Sequence, residues 1–250
     1  MKIKAVCMAY NEEFIMPFFL HHYSYLNGIH LIVDSDTTDR TREIARRWSN
    51  VTIEEFRFPD GMDDVIKRDK LNAAARSISD ADWIYVLDAD EFIFPPKLED
   101  PRAFLARQSG NVVRAKMWNV FRHSSDTDLD PECLYGPAVL QRRHGNPDRH
   151  HPWDKPIVVK MPFSFTMDLG NHFINGLNGP GFVEMSNESY DGAHWAHADP
   201  CFCVERSFKH RRQRQSRNNL KLGLTTHHHH VTEDGIRALC KANENLPLLF

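Results

Sequence analysis

Apolar runs alternate with helix-like segments across the first ninety residues of this 250-residue chain, and several runs end in a carboxylate-bearing cluster. Residues 3–10 (IKAVCMAY) read as a short buried strand. Residues 14–26 follow as a helix. Pro17 falls in its first turn, where a missing N–H is tolerated, and Asn27-Gly28 is a stop signal. Residues 29–33 form a second strand, 40–48 a helix capped by Thr37-Thr38-Asp39, and 51–58 a third strand. After the Pro59-Asp60-Gly61 turn, residues 64–78 read as a helix and 83–87 (WIYVL) as a fourth buried strand. Strands separated by helices of this length give right-handed βαβ units, hence an α/β fold with a mostly parallel sheet flanked by helices. Near-continuous apolar strands fit a sheet covered on both faces.

Ligands of such sheets bind beyond the carboxyl ends of the strands. Three polar clusters fall there: Asn11-Glu12, Asp34-Ser35-Asp36 and Asp88-Ala89-Asp90-Glu91. Independent elements thus deliver acidic groups to one edge, expected to be an exposed one. The second half is irregular. Residues 111–121, 156–160 and 191–197 read as strands, 124–131 as an acidic loop, and 141–153 as a loop rich in Arg, His and Pro. Residues 201–222 read as one basic helix, and a further short helix lies in the last twenty residues. With no internal repeat and no clear linker, residues 1–250 read as one domain.

Composition excludes several classes. Lys plus Arg is 31 against 34 Asp plus Glu, a net charge of −3, so overall charge does not point to nucleic acid. No run approaches the ~18 apolar residues of a membrane span, and the N-terminus lacks the pattern of a secretory signal. Five scattered cysteines, Cys7, Cys133, Cys201, Cys203 and Cys240, form no CxxC and complete no Cys–His zinc spacing. They read as reduced thiols of a cytoplasmic protein, each a small buried hydrophobe. Of 15 histidines, the run His227 to His230 reads as a solvated loop able to bind stray metal, not as an active site.

Asp88 and Asp90, two residues apart just past a strand, can hold a divalent cation of the oxygen-preferring kind, Mg²⁺ or Mn²⁺, which would bridge phosphate oxygens. Asp34 at the end of its strand can accept from a nucleobase or a ribose hydroxyl; alternatively it caps a helix. The basic run Arg206, Lys209, Arg211, Arg212, Arg214, Arg217 and Lys221 is by default a solvated helix face. Its functional readings are a clamp on donor phosphate or an edge meeting anionic lipid or polysaccharide.

The set AYNEE, VDSDTTDRT, DKLNAA and WIYVLDADEF, in order over residues 3–95, resembles the N-terminal half of family 2-type glycosyltransferases with the GT-A fold and a DxD motif. The His-rich second half resembles the branch carrying Gly-Asn-His and a later His near a basic segment. The resemblance implies a nucleotide-diphospho-sugar donor, bound by residues 1–95, and an acceptor- and metal-completing half in 96–250. It places Asn11, Glu12, Asp34, Asp69, Lys70 and Asp88 at the nucleotide. It makes Asp88 and Asp90 the metal motif for Mn²⁺ or Mg²⁺. His172 in Leu169-Gly170-Asn171-His172 is the first choice to complete that site, ahead of His194 and His197. The sequence departs from the family pattern at Val33-Asp34-Ser35-Asp36-Thr37, where a glycine is lost and the loop is less open.

An inverting, hexosyltransferase-like reaction needs a general base near the acceptor hydroxyl. The candidates are Asp154, Asp168, Glu184 and Asp191. Asp154 is preferred because Trp153 beside it could stack on a sugar; a salt bridge with Lys155 is the plain alternative. The implied acceptor is a glycan or a lipid-linked sugar, met in the cytoplasm with peripheral membrane contact open to the basic segment. Two rival readings remain. A nucleotidyltransferase should show a Gly-rich phosphate loop near the N-terminus, and AVCMAYNEE has none. A non-catalytic protein binding through its basic helix would show no metal-dependent donor binding.

Overall fold

The computed structural model describes residues 1–131, 138–150, 154–176, 183–224 and 231–250; Cys133, Trp153 and His227 to His230 lie outside the described residues. Strands β1 (Ile3–Ala9), β2 (Gly28–Asp34), β3 (Val51–Phe56) and β4 (Trp83–Asp88) are parallel neighbours in the order β3-β2-β1-β4. Helices α1 (Met16–His22), α2 (Thr41–Arg46) and α3 (Asp64–Ser77) connect them. Residues alternate between two cores. Ala5, Cys7, Leu31, Val33, Tyr85 and Leu87 face one that also takes Phe18 and Phe19 of α1 and Ile44 of α2. Val6, Ile32, Ile84 and Val86 face the other, with Leu71, Ala74 and Ala75 of α3. Both faces are covered, which is why these strands read as unbroken apolar runs. Asp63 starts α3 by accepting from the Val65 and Ile66 amides at 3.0 and 3.1 Å.

The second half extends the same sheet. It adds β5 (Glu91–Phe94), β6 (Val112–Phe121), β7 (His144–His150), β8 (Lys155–Lys160) and β11 (Tyr190–His197), giving the order β3-β2-β1-β4-β8-β6-β11-β5 with β7 on β6. β6 and β11 run with the first four strands, while β5, β7 and β8 oppose them. The mostly parallel α/β sheet flanked by helices that the sequence suggests is therefore the fold observed. A small hairpin-like pair, β9 (Phe165–Met167) and β10 (Ile174–Gly176), packs against α3. Asn72 of α3 fixes it, donating to the Met167 carbonyl at 2.9 Å and accepting from the Met167 amide at 2.7 Å.

One connection dictates the shape of the sheet. β4 ends at Asp88 and β5 starts at Glu91, so three Cα–Cα steps of ~3.8 Å, at most ~11 Å, separate their ends. In the sheet they are four neighbours apart, which would be ~19 Å in a flat sheet. The sheet has to curl until its edge strand returns to the end of β4. Asp90 lies in that crease and is fully buried, which corrects the expectation of an exposed edge. The Trp195 amide donates to the Asp90 carbonyl at 2.8 Å, and the Tyr23 hydroxyl donates to the Glu91 carbonyl at 2.8 Å.

Two other expectations change. The segment 141–153, read as a loop, contains β7, paired with β6 through Phe121↔His144 and Val120↔Gly145. The segment 201–222 is not one helix. It runs as α5 (Pro200–Glu205), a π-helical turn (Arg206–Arg211), a 3₁₀ turn (Arg212–Arg214) and α6 (Arg217–Leu222). Ser216 breaks it: its hydroxyl accepts from the Asn219 amide at 3.0 Å, restarting a helix, and donates to Asp63 at 3.0 Å. Helices α4 (Pro101–Ala106) and α7 (Glu233–Ala242) complete the described elements used below.

His22, at the end of α1, packs edge-on to Phe92, and its Nε2 lies 2.9 Å from the Ile93 carbonyl. Burial pushes its imidazole down from the usual range to about 4. The unfolded chain therefore takes up a proton below pH ~6.5 that the folded chain refuses until about 4, and stability falls as pH drops through that window. Urea midpoints measured between pH 7 and 4 should decline in the wild type and decline less in His22→Gln, which keeps a donor for Ile93.

Candidate functional site

The sheet register brings the three acidic clusters to one edge: Met8 lies opposite both Asp88 and Ile32, and Ala9 opposite Val33. A cleft with an empty volume of about 580 Å³ opens there, lined by Tyr10, Glu12, Asp34, Phe58, Asp88 and Arg206 among others. A second lobe of about 990 Å³ shares Met62, Lys67, Asp88, His210 and Arg211 with it and adds Asp64, Lys155, His172 and His194. Asp88 stands where the two lobes meet.

Asp34 is buried at the floor of the first lobe. Its Oδ1 accepts from the Asp36 amide at 2.9 Å and its Oδ2 from Arg214 Nη2 at 2.7 Å. The Arg214 guanidinium also lies over the Tyr10 ring, 3.4 Å from its centroid. Arg214 is placed by main-chain bonding: the Met62 amide donates to its carbonyl at 2.7 Å. That close approach requires Gly61, whose φ is +77° and where a Cβ would fall 2.5 Å from the same carbonyl oxygen. Asn11, at φ 48°, accepts from the Thr38 amide at 2.8 Å and so ties the loop after β1 to the loop after β2.

The centre of the cleft is a set of buried and half-buried charges. Arg206 donates to Asp90 and lies 3.2 Å from Glu12 Oε1. Arg211 Nη2 lies 3.6 Å from the same Asp90 oxygen, and His194 Nε2 lies 2.9 Å from it. Lys67 Nζ donates to Asp88 Oδ1 at 2.7 Å. Lys155 donates to Glu91 and sits 3.9 Å from Asp88 Oδ2. Burial pushes the Asp90 carboxyl up, but Arg206 and His194 more than offset it and hold the group well below the carboxylate range. Asp88 behaves alike: burial raises it, and Lys67 with Lys155 brings it down. Glu12 goes the other way. Its burial outweighs Arg206 and lifts it to about 7. Asp90 Oδ1 and Glu12 Oε2 are buried without a hydrogen-bond partner among the described residues.

His172 follows a tight turn with positive φ at Gly170 and Asn171, the turn expected from those residues, and lines the second lobe with Asp88. Burial and then Lys155 push its imidazole down to about 4, so it is neutral at pH 7. His197 is not with them; it lies beyond the bulge of β11, against Cys203. Asp69 and Lys70 turn away. Asp69 pairs with Arg68 on the exposed face of α3, and Lys70 pairs with Glu54 of β3 beneath Phe56. Lys67, one turn earlier on α3, is the residue that reaches the cleft. Asp154 precedes β8, whose Lys155 lines the second lobe.

The sequence reading missed Asp64, Lys67 and Lys155, lone residues with no motif around them. It saw the basic run but not its division. Arg206, Arg211 and Arg214 line the cleft, whereas Arg212 donates to the Val231 carbonyl and the Arg217 side chain is 92% exposed. The five-residue spacing of Arg206 and Arg211 matches the π-helical turn, which sets both toward Asp90.

No family model matches the sequence, and no curated protein sequence matches it. Among solved structures, S. aureus TarS residues 1–349 is similar to 83% of this chain at 13% identity, with a TM-score of 0.43. The same protein in complex with UDP-GlcNAc gives 16% identity and a TM-score of 0.41. A 4-diphosphocytidyl-2C-methyl-D-erythritol synthase is similar to 64% of the chain at 10% identity, with a TM-score of 0.36. The chain spans 63% of the length of the shorter TarS structure, 38% of the longer one and 75% of the synthase. Likeness of this size carries no argument about activity, and the functional reading stands on the cleft itself.

Arg206 is the main cation on Asp90 and the nearest one on Glu12, so its removal leaves buried carboxylates short of positive charge. Arg206→Met should cost about 3–5 kcal/mol of stability, the range for breaking a buried ion pair from one side. Arg217→Ala, at the exposed end of the same basic run, should stay within about 0.5 kcal/mol. Denaturant titration of both variants checks the contrast.

Proposed function

We propose that this chain is a glycosyltransferase that moves a sugar from a nucleotide-diphospho-sugar to a glycan or lipid-linked acceptor. The observation that carries the reading is the pairing, in one cleft, of a lobe containing Asp34 and Tyr10 with a cluster of Lys67, Arg206 and Arg211. In this reading Asp34 accepts from the base or ribose. The Tyr10–Arg214 stack offers a flat surface to the base. The Lys and Arg side chains meet the diphosphate, because clustered ammonium and guanidinium groups are suited to phosphate oxygens. Asn11 and Glu12 hold the loop that forms the wall. The sugar and acceptor occupy the second lobe.

A divalent cation, Mn²⁺ or Mg²⁺, is implied by the resemblance, and the donor set fits it on one side. Asp88 Oδ2 lies beyond hydrogen-bond reach of Lys155, and the neutral His172 imidazole lines the same lobe. A carboxylate oxygen with an imidazole nitrogen suits Mn²⁺. Asp88 and His172 would therefore hold the ion, which would offset charge on the departing diphosphate. Asp90 acts instead as the counter-ion that orients Arg206 and His194.

For the general base we favour Asp64 over Asp154. Asp64 lines the second lobe, and its burial raises its affinity for a proton, as taking one from a sugar hydroxyl requires. Among the described residues no helix is long and apolar enough to cross a membrane, so a lipid-linked acceptor would be met at a surface.

A thermal-shift panel of UDP-, GDP-, CMP- and dTDP-sugars, with and without Mn²⁺, tests the donor site, because a ligand of the folded state raises Tm. One nucleotide class should stabilise the chain. Asp34→Ala should weaken its binding by about 1.5–3 kcal/mol, the range for a hydrogen bond to a charged group. A flat panel would overturn the reading. Once a donor is known, Asp64→Asn should lower kcat by roughly 10²–10⁴-fold, the usual contribution of a general base, with KM little changed. The same loss in Asp154→Asn, with Asp64→Asn near wild type, would return the base to Asp154.

A further inference from the structure

Away from the donor cleft, three soft ligands converge from three separate elements. His197 closes β11, Cys203 lies in α5, and Cys240 lies in α7. Their ligand atoms all lie within 4.8 Å of one another, with His197 Nδ1 3.1 Å from Cys203 Sγ. In a tetrahedral zinc site, S–S and N–S separations are roughly 3.5–3.8 Å, so this set needs adjustment of no more than about 1 Å to take the ion. Spacing along the chain hid the site: the three residues are 6 and 37 positions apart and match no zinc motif.

The setting is built rather than incidental. Cys203 and Cys240 are both buried. The His197 ring is fixed by stacking on Phe121, with centroids 4.8 Å apart and planes 8° apart. Asp199 sets the start of α5 by accepting from the Phe202 amide at 2.9 Å, and the Cys203 amide donates to the Asp199 carbonyl at 2.9 Å. Helix α7 buries only Ile236 and Cys240, in a small cluster with Cys203, so Cys240 is one of its two anchors. Cys240 also borders an open cleft lined by His123, Arg237 and Glu244, which leaves solvent access for a fourth ligand.

We propose that His197, Cys203 and Cys240 bind a thiolate-preferring divalent ion of the Zn²⁺ class, with water as the fourth ligand, and that the ion pins α7 to the sheet. Two thiolates and an imidazole select Zn²⁺ over Mg²⁺ or Mn²⁺, so this site is chemically separate from the oxygen-lined donor cleft.

Cobalt substitution of the reduced full chain tests the proposal. The histidine run, His227 to His230, can bind metal but has no sulfur, so the thiolate-to-cobalt charge-transfer band does not arise from it. About one equivalent of Co²⁺ should develop that band together with the d–d bands of a tetrahedral ion, and Zn²⁺ should displace it. Cys203→Ser and Cys240→Ser should lose the band, while Cys201→Ser on the exposed side of α5 should keep it. A strong chelator should lower Tm in the wild type and leave Cys240→Ser unchanged. A wild-type titration without a thiolate band overturns the proposal even where a variant fails to fold. So does intact-mass detection of a Cys203–Cys240 disulfide whose reduction fails to create a metal-binding chain.

Discussion

Ala89 and Asp90 are all that join β4, in the middle of the sheet, to β5 at its far edge, so the sheet closes around them. Closure carries the carboxylates of Asp90 and Glu91 out of water, and each buried anion then needs a cation. The second half of the chain supplies them: Lys155 from β8 for Glu91, and Arg206 from the turn after α5 for Asp90. The irregular backbone of residues 200–216 follows from this demand. The π-helical and 3₁₀ turns there set Arg206 and Arg211 on Asp90 and Arg214 on Asp34.

Those same charges make the cleft suited to a ligand of opposite character. Asp90 is met by Arg206, Arg211 and the His194 ring together. Glu12, by contrast, holds a proton near neutrality despite its arginine. The cluster sets Lys67, Lys155, Arg206 and Arg211 against Asp88, Asp90, Glu91 and Glu12, and it gains positive character as Glu12 takes up a proton, facing a space already bounded by Asp34. A diphosphate joined to a nucleoside has that distribution of charge.

The strand–helix alternation was legible because each strand is buried on both faces and each helix is local. The convergence of Asn11-Glu12, Asp34 and Asp88 on one edge was legible for the same reason: parallel strands share their carboxyl ends. What could not be read was anything set by tertiary placement rather than by a local pattern. Lys67 differs from Lys70 only by a turn of α3, and Asp69 reads as well as Asp64 until the helix face is known. β7 was hidden because His144–His150 carries no apolar alternation; its pairing with β6 is set by the neighbouring strand. The His197, Cys203 and Cys240 cluster was hidden by sequence distance, since no local spacing brings a strand end and two helices together.

Closure of the sheet also sets an order of events during synthesis. β5 has its sheet partner in β11, with Glu91 paired to His194, so it leaves the ribosome about a hundred residues before the strand it must join. At 5–20 residues per second that is roughly 5–20 s with an apolar strand, Glu91–Phe94, and its buried-to-be carboxylates still in water. During that interval the charges of Asp90 and Glu91 are fully hydrated and keep the nascent edge soluble. The acidic motif of the finished cleft doubles as the gatekeeper of its own unfinished strand.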